Sequence, residues 1–229
     1  MTVQAVIFDW GGTLTPWHTV DEIELWRAVC ADQFPADHHD RTAAALSAAS
    51  AQLWRASTSE QRSATIYQVF ELAEVEPTDG LLAGYFRAWE PHTYTDPDAH
   101  DVLSYLRARG ISTGVLSNTM WPRAWHDRVF RRDGVLHLLD AAVYSSEIDR
   151  TKPHPAAFRA VMAALGVSEA GACVFVGDRP VDDIHGAQRL GMRTVLVPHS
   201  AVPPCADARP DAVIRRLADL PALIESWQE

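Results

Sequence analysis

Several polar side chains stand where short apolar runs of the chain end, and they could act together as one reactive site. The first run is Ala5 to Phe8, a continuous apolar stretch typical of a strand buried on both faces. Other runs end at Ser117-Asn118 and at Gly177-Asp178. Ligands of open parallel sheets bind beyond the carboxyl ends of the strands, so these side chains are expected to share one crevice. The candidates are Asp9, Thr13, Ser117, Asn118, Lys152, Asp178, Asp182 and Asp183.

Asp9 is a candidate nucleophile, because a carboxylate can attack phosphorus or an electrophilic carbon and form a covalent intermediate that water then hydrolyses. It must stay ionised among other acids, and a neighbouring cation would keep its pKa low. Lys152 is the only lysine of the chain, and we expect it to be that cation and to neutralise developing charge. Hydrogen bonds to a substrate oxygen could come from Ser117, Asn118 and Thr13.

Three acids stand close together after the apolar run that ends at Gly177. They are Asp178, Asp182 and Asp183, and with Asp9 in the same crevice they would repel one another unless a hard cation neutralised them. All-oxygen ligands at this charge density suit Mg²⁺. An acidic helix N-terminus would explain one or two of these carboxylates but not their position. The sequence therefore predicts Mg²⁺ as the cofactor.

Composition limits the classes of partner. The chain has 229 residues and 47% hydrophobic residues, enough for one core and a second small module. A formal charge of −10 argues against nucleic acid or an anionic membrane as partner and leaves a small-molecule substrate. The three cysteines form no CxxC pair, which is typical of free thiols in a reducing compartment. Because no basic, apolar leader and no membrane-spanning apolar run is evident, we expect a cytoplasmic protein.

Two kinds of pattern divide the chain. Residues 16–91 carry about four amphipathic helices and no strand pattern, which is typical of a small inserted bundle. Residues 1–15 and 92–229 alternate short apolar strands with helices, which predicts a doubly wound, Rossmann-like α/β fold with a parallel sheet. Ser59 is the expected cap of a helix that begins near residue 63. Residues 198–210, rich in Pro and Ala, are expected to form an irregular loop.

Four motifs occur in a fixed order along these elements. They read FDWGGTLT, VLSNT, TKPHPAAF and VGDRPVDDIHGAQRLGM. In this order and with this spacing, the chain resembles the haloacid dehalogenase-like hydrolase superfamily over essentially its whole length. The resemblance implies a catalytic core of residues 1–15 and 92–229, with residues 16–91 as an all-helical cap domain between the first and second motifs.

The resemblance also implies roles for site residues. Asp9 and Asp178 are expected to bind Mg²⁺ directly, with Asp183 supporting the metal and Asp182 standing where relatives often have Asn. Gly11 is expected to contribute its backbone carbonyl. The implied activity is Mg²⁺-dependent, phosphatase-like hydrolysis of a small phosphorylated metabolite through an aspartyl nucleophile, by a monomer or homodimer.

One position departs from this pattern. In phosphatases and phosphotransferases of the superfamily, a second aspartate two positions after the nucleophile protonates the leaving oxygen and then activates water. This chain has Gly11 there, so the proton carrier is lost while the backbone carbonyl remains. General acid–base catalysis is worth about 10²–10⁴ in rate, so a poor leaving group would be cleaved slowly. A histidine of the cap or its hinge could replace the missing acid; the candidates are His18, His38 and His39.

Other functions stay open. Haloacid dehalogenases of the superfamily lack the second aspartate because halide leaves unaided, but they work without metal and lack the acidic pair after Gly177. A non-catalytic member would bind metal and a phosphorylated ligand as a sensor. Phosphonoacetaldehyde hydrolases have a similar first loop but need a cap lysine, and residues 16–91 contain none. Substrate choice is expected from polar and aromatic cap side chains, of which the candidates are Trp17, Trp26, Arg27, Trp54, Arg55 and Tyr67.

Overall fold

A sheet of parallel strands lies at the centre of the protein. The computed structural model describes residues 2–198 and 205–228. The strands are β1 (Ala5–Phe8), β2 (Ser112–Ser117), β3 (Ala141–Tyr144), β4 (Cys173–Gly177), β5 (Arg193–Leu196) and β6 (Ala212–Val213). Their order is β3-β2-β1-β4-β5-β6, and every neighbouring pair is parallel. The predicted doubly wound α/β fold is therefore confirmed.

Strand β1 is central and buried on both faces because its side chains alternate between two hydrophobic clusters. Val6 and Phe8 pack in the cluster that also contains helix residues such as Leu103. Ala5 and Ile7 point to the opposite cluster, on the other face of the sheet. This double burial explains why the strand is a continuous apolar run in the sequence.

Helices connect the strands and form a separate group between β1 and β2. They are α1 (Glu22–Ala31), α2 (Ala36–Glu60), α3 (Ile66–Leu72), α4 (Asp79–Trp89), α5 (Ala99–Ala108), α6 (Arg123–Arg132), α7 (Pro155–Ala164), α8 (Gly186–Gln188) and α9 (Leu220–Ser226). Short 3₁₀ segments precede β3, β4 and α9, and a π-helical turn, Pro180–His185, leads into α8. Pro180 suits the start of this turn because it has no backbone N–H to leave unsatisfied.

Helices α1–α4 form the predicted helical insertion and share one hydrophobic cluster. Trp26, Leu46 and Phe70 are fully buried in this cluster. The cluster extends to Met120 and Trp121, which follow strand β2, so the insertion packs directly on the sheet domain. The cap boundaries near residues 15/16 and 91/92 stay predictions.

The start of α3 differs from the sequence-based expectation. Ser59 lies inside α2, so the prediction that it caps the next helix is wrong. Helix α2 continues to Glu60 and ends where Gln61 takes a left-handed conformation, with φ of 53°. Thr65 is the cap instead, and its hydroxyl and backbone N–H are paired reciprocally with Gln68.

The remaining expectations concern loops, membranes and thiols. Residues 199–204 of the expected loop at 198–210 lie outside the described residues, and residues 205–210 contain no helix or strand. In the described part of the chain, no helix has both the length and the apolar composition needed to cross a bilayer. Cys30, Cys173 and Cys205 are all free, as expected.

Candidate active site

Asp9 stands at the carboxyl end of β1, where the chain turns into a tight loop. Its backbone N–H still pairs with Val176 of β4, at 2.9 Å, and this bond fixes the start of the loop. The N–H groups of Thr13 and Thr15 both donate to the Trp10 carbonyl, at 3.2 and 2.9 Å. These bonds therefore close a tight turn immediately after Asp9, the nucleophile candidate.

Lys152 lies between two buried carboxylates. Its Nζ is 2.7 Å from Asp9 Oδ1 and 2.6 Å from Asp183 Oδ1. All three side chains are at least nine-tenths buried. Burial lowers the pKa of Lys152, but the charges of Asp183 and Asp9 outweigh it and raise that pKa above its usual range. Lys152 is therefore a permanent ammonium group at the expected position.

The Asp178 carboxylate is buried but lacks hydrogen-bond partners among the described residues, at either of its oxygens. The nearest cation is Arg179, whose Nε lies 3.6 Å from Oδ2. Burial, followed by the charges of Asp9 and Asp183, raises the pKa of Asp178 above its usual range.

Three of the predicted ligands converge. Asp9, Asp178 and Asp183 each bring one carboxylate oxygen to within 4.8 Å of the others. Asp183 already has two protein partners, because Oδ1 accepts from Lys152 and Oδ2 accepts from the Arg179 backbone N–H at 2.8 Å. Hard oxygen ligands without enough protein donors fit a hard divalent cation.

Asp182 does not join this group. It is adjacent to Asp183 on a helical turn, and consecutive helical side chains point in different directions. Asp183 is fully buried, whereas Asp182 is half-buried and lines the cavity described below. Burial raises the pKa of the Asp182 carboxyl. The structure thus gives these two adjacent acids different surroundings.

Asn118 holds the loop that carries Lys152. Its Nδ2 donates to the Lys152 carbonyl at 2.9 Å, and its Oδ1 accepts from the Lys152 N–H at 2.8 Å. The side chain therefore positions Lys152, a role that the sequence-based expectation of a substrate hydrogen bond missed. Ser117 is buried and lines the cavity. Thr13 does not line it, and its buried hydroxyl has no partner among the described residues.

A cavity of about 470 Å³ lies between the carboxyl edge of the sheet and the helical insertion. Core residues on its wall include Asp9, Ser117, Asn118 and Lys152. The insertion and its two connecting segments contribute Trp17, His18, Glu22, Trp54, Tyr85, Trp89 and His92.

Sequence reasoning found some of these wall residues and not others. Trp17, Trp54 and His18 were candidates, and they line the cavity. The other candidates do not contribute to the wall: Trp26, Arg27, His38, His39, Arg55 and Tyr67. Trp26 is fully buried and stacks on Tyr85, with ring centroids 4.3 Å apart, so it belongs to the hydrophobic core.

A family model for haloacid dehalogenase-like hydrolases matches residues 3–191 of the chain. The chain belongs to this family of hydrolases. The hydrolase is 35% identical over 130 residues to phosphatase MT3486 of Mycobacterium tuberculosis, covering 56% of this chain and 55% of that protein. It spans about half the length of the curated relatives it matches.

Solved structures resemble the hydrolase over nearly its whole length. A HAD phosphatase from Thermococcus onnurineus has a TM-score of 0.70 at 22% identity, covering 97% of this chain and 98% of the other, which shows the shared fold. A 2-haloacid dehalogenase from Pseudomonas syringae has a TM-score of 0.68 at 25% identity, covering 99% and 100%.

Two adjacent glycines of the hydrolase provide a matched test of the loop. Gly12 has φ of +88°, and a Cβ there would lie closer than 3.0 Å to Asp178 Oδ2. A Cβ on Gly11 would meet nothing within 4 Å. We expect Gly12→Ala to lower the free energy of unfolding by about 1–3 kcal/mol, because it adds strain and displaces Asp178. Gly11→Ala should change it by less than about 0.5 kcal/mol. Urea unfolding measures both, and equal losses would contradict this geometry.

Proposed function

We propose that this hydrolase is a Mg²⁺-dependent phosphatase that acts on a small phosphorylated substrate through Asp9 as nucleophile. The single observation that carries the proposal is the buried Asp178 carboxylate, which has no hydrogen-bond partner among the described residues and lies beside Asp9. Similarity to a protein named as a phosphatase supports the same activity. A cytoplasmic location and a monomeric or homodimeric state stay predictions.

The metal would be held by Asp9, Asp178 and the backbone carbonyl of Gly11. Asp183 would support the metal site by holding Lys152 and the Arg179 backbone, because both of its oxygens are already bonded to these protein donors. When bound, Mg²⁺ would balance the carboxylates and polarise a phosphoryl oxygen. Lys152 supplies the fixed positive charge that remains beside Asp9 in either case.

The reaction would proceed in two displacements. The Asp9 oxygen that is not bonded to Lys152 attacks phosphorus, the bond to the leaving oxygen breaks, and an aspartyl phosphate forms. Water then attacks the phosphorus of this intermediate, inorganic phosphate leaves, and Asp9 is restored. Lys152 would neutralise charge on the phosphoryl oxygens, and Ser117, which lines the cavity, would donate a hydrogen bond to them.

The leaving oxygen needs a proton that Gly11 cannot supply. His18 lines the cavity on one connecting segment, and its ring centroid is 5.3 Å from that of His92 on the other. Histidine is the side chain that most often transfers protons in enzymes, so we assign this role to His18. His38 and His39 lie away from the cavity wall and are not candidates on this geometry.

Dehalogenation is the second candidate, favoured by similarity to a solved 2-haloacid dehalogenase. Carbon chemistry with a halide leaving group would need neither a proton donor at Gly11 nor a metal. It would not require the metal site that the converging carboxylates of Asp9, Asp178 and Asp183 could form, and we therefore rank it second. A sensor that binds metal and phosphate without turnover is the third.

Activity assays on a panel of phosphate esters, acyl phosphates and 2-haloacids distinguish the three functions. We expect phosphate release from phosphate monoesters or acyl phosphates in Mg²⁺, loss of this release with a chelator, and its abolition in Asp9→Asn. Asp101→Asn is a matched control, because that carboxylate is 95% exposed on the surface. Halide release from 2-haloacids that is insensitive to chelation would establish the dehalogenase instead. Metal binding without any turnover would establish the sensor.

Gly11→Asp should raise the hydrolysis rate of alkyl phosphates, because it adds a carboxylic acid two positions after the nucleophile, in addition to His18, and the space for a side chain is open. We expect a gain of about 10²-fold in kcat, at the lower end of general acid–base effects. Gly11→Asn is the matched control, since it has the same size and carries no exchangeable acid proton. No gain in Gly11→Asp, or an equal gain in Gly11→Asn, would show that the glycine is not the limiting feature.

A further inference from the structure

The cavity has two sides of different chemistry. On the core side, Asp9 and Lys152 form the reactive end. On the cap side, helices α1, α2 and α4 contribute one acidic residue to the wall, Glu22, and no basic residue among those described. A ligand with its anionic group at the reactive end would therefore meet a carboxyl group at the cap side.

Aromatic rings connect these two sides. Trp10, next to the nucleophile candidate, lies 5.4 Å from Trp121, and Trp121 lies 6.0 Å from Trp89, measured between ring centroids. Tyr85 follows, with its centroid 6.3 Å from that of Trp89. Burial, and then the charge of nearby Glu22, raises the pKa of Tyr85. The aromatic wall thus extends from the reactive loop to Glu22.

Glu22 has a neutral partner and no cationic one. The Ser50 hydroxyl donates to Glu22 Oε1 at 2.6 Å. None of the ion pairs formed by the described residues includes Glu22. Burial raises the pKa of this carboxyl, so its charged form is poorly solvated. A cationic ligand would provide the charge that the protein does not.

A further tryptophan makes the same region suitable for a cation. Trp54 is 39% exposed, lines the cavity and lies one helical turn after Ser50, the residue that bonds to Glu22. The ring of Trp17 is not available in the same way, because the Arg179 guanidinium already lies 4.4 Å from its centroid. Indole faces attract cations more strongly than other aromatic faces, and groups of aromatic rings recognise quaternary ammonium ligands. An exposed indole near a carboxyl that has no cationic partner is therefore complementary to an alkylammonium group.

We propose that the substrate is a phosphate monoester that carries an ammonium group, held by Glu22 and the Trp54 indole while the phosphate reaches Asp9. This inference rests on the proposed phosphatase activity and adds the substrate class to it. A neutral alkyl phosphate would leave Glu22 without a cationic partner, so the site would select for positive charge at that end of the substrate. Glu22 would act as a specificity-determining residue and take no part in the chemistry.

Binding of the cationic part alone tests the site independently of catalysis. Calorimetric titration with choline should show binding that is about tenfold weaker in Glu22→Gln. Neohexanol, in which carbon replaces the charged nitrogen, should bind the unmodified protein no better than it binds the variant. Glu24→Gln is the matched control, because Glu24 lies in the same first turn of α1, is 60% exposed and pairs with Arg27. Equal choline affinity in the unmodified protein and in folded Glu22→Gln would overturn the proposal.

Kinetics test the same preference in the substrate. Phosphocholine should be hydrolysed with kcat/KM about tenfold higher than neohexyl phosphate, and Glu22→Gln should remove this difference mainly through KM. If Glu22→Gln does not fold, Trp54→Leu provides a second variant, since its ring is 39% exposed and leucine keeps an apolar side chain there, and it should reduce choline binding severalfold. Equal hydrolysis of the two esters by the unmodified protein would overturn the proposal. Choline binding that depends on Glu22 without any phosphate release would instead uphold this site and refute the phosphatase activity.

Discussion

The buried ion pair network around Lys152 is the interaction on which the site depends. One ammonium group faces two carboxylates directly, and a third carboxylate, Asp178, lies beside them without a protein donor among the described residues. Three buried acids, Lys152 and the more exposed Arg179 leave this region with one excess negative charge. Such a charge is costly in a folded protein unless another cation compensates it. The fold therefore maintains an arrangement that favours a bound cation.

The parallel sheet makes this arrangement possible by bringing distant residues to one edge. Strands β1 and β4 are hydrogen-bonded neighbours, so Asp9 and Asp178 emerge side by side although they are far apart in the chain. Glycines allow the carboxylates to approach the backbone closely. A Cβ on Gly12 would collide with Asp178, and a Cβ on Gly177 would collide with Asp183. Asn118, at the end of β2, then ties the Lys152 loop to the same edge.

Much of the fold could be predicted from the sequence because its strongest local signals agree with the tertiary structure. The central strands are continuous apolar runs, and β1 was predicted at its observed position because it is buried on both faces. Helix ends were less predictable. Ser59 was expected to cap α3, but α2 continues one residue past it to Glu60, and Thr65 with Gln68 provides the reciprocal cap. Such choices depend on competition between neighbouring segments.

The candidate site shows the same division between local and tertiary information. The acids at strand ends could be located because each follows a recognisable apolar run. The family resemblance gave Asp182 and Asp183 different roles, but their different burial could not be predicted from the local pattern, since it depends on which side of one helical turn faces the core. Glu22 and His92 were missed because nothing local distinguishes them from an acid in a first helical turn and a linker histidine. Only the packing of the helical insertion on the sheet brings them to the cavity.

The central claim is that the buried Asp178 carboxylate, which accepts no hydrogen bond from the described residues, binds a divalent cation. Calorimetric titration of Mg²⁺ into the unmodified protein, Asp178→Asn and the surface control Asp101→Asn tests it most directly. The account predicts that Asp178→Asn weakens Mg²⁺ binding at least about tenfold while Asp101→Asn leaves it unchanged. It also predicts that Asp178→Asn unfolds at a higher temperature than the unmodified protein when no metal is present, because one repelling charge is removed. Unchanged Mg²⁺ affinity in a folded Asp178→Asn variant would contradict the account.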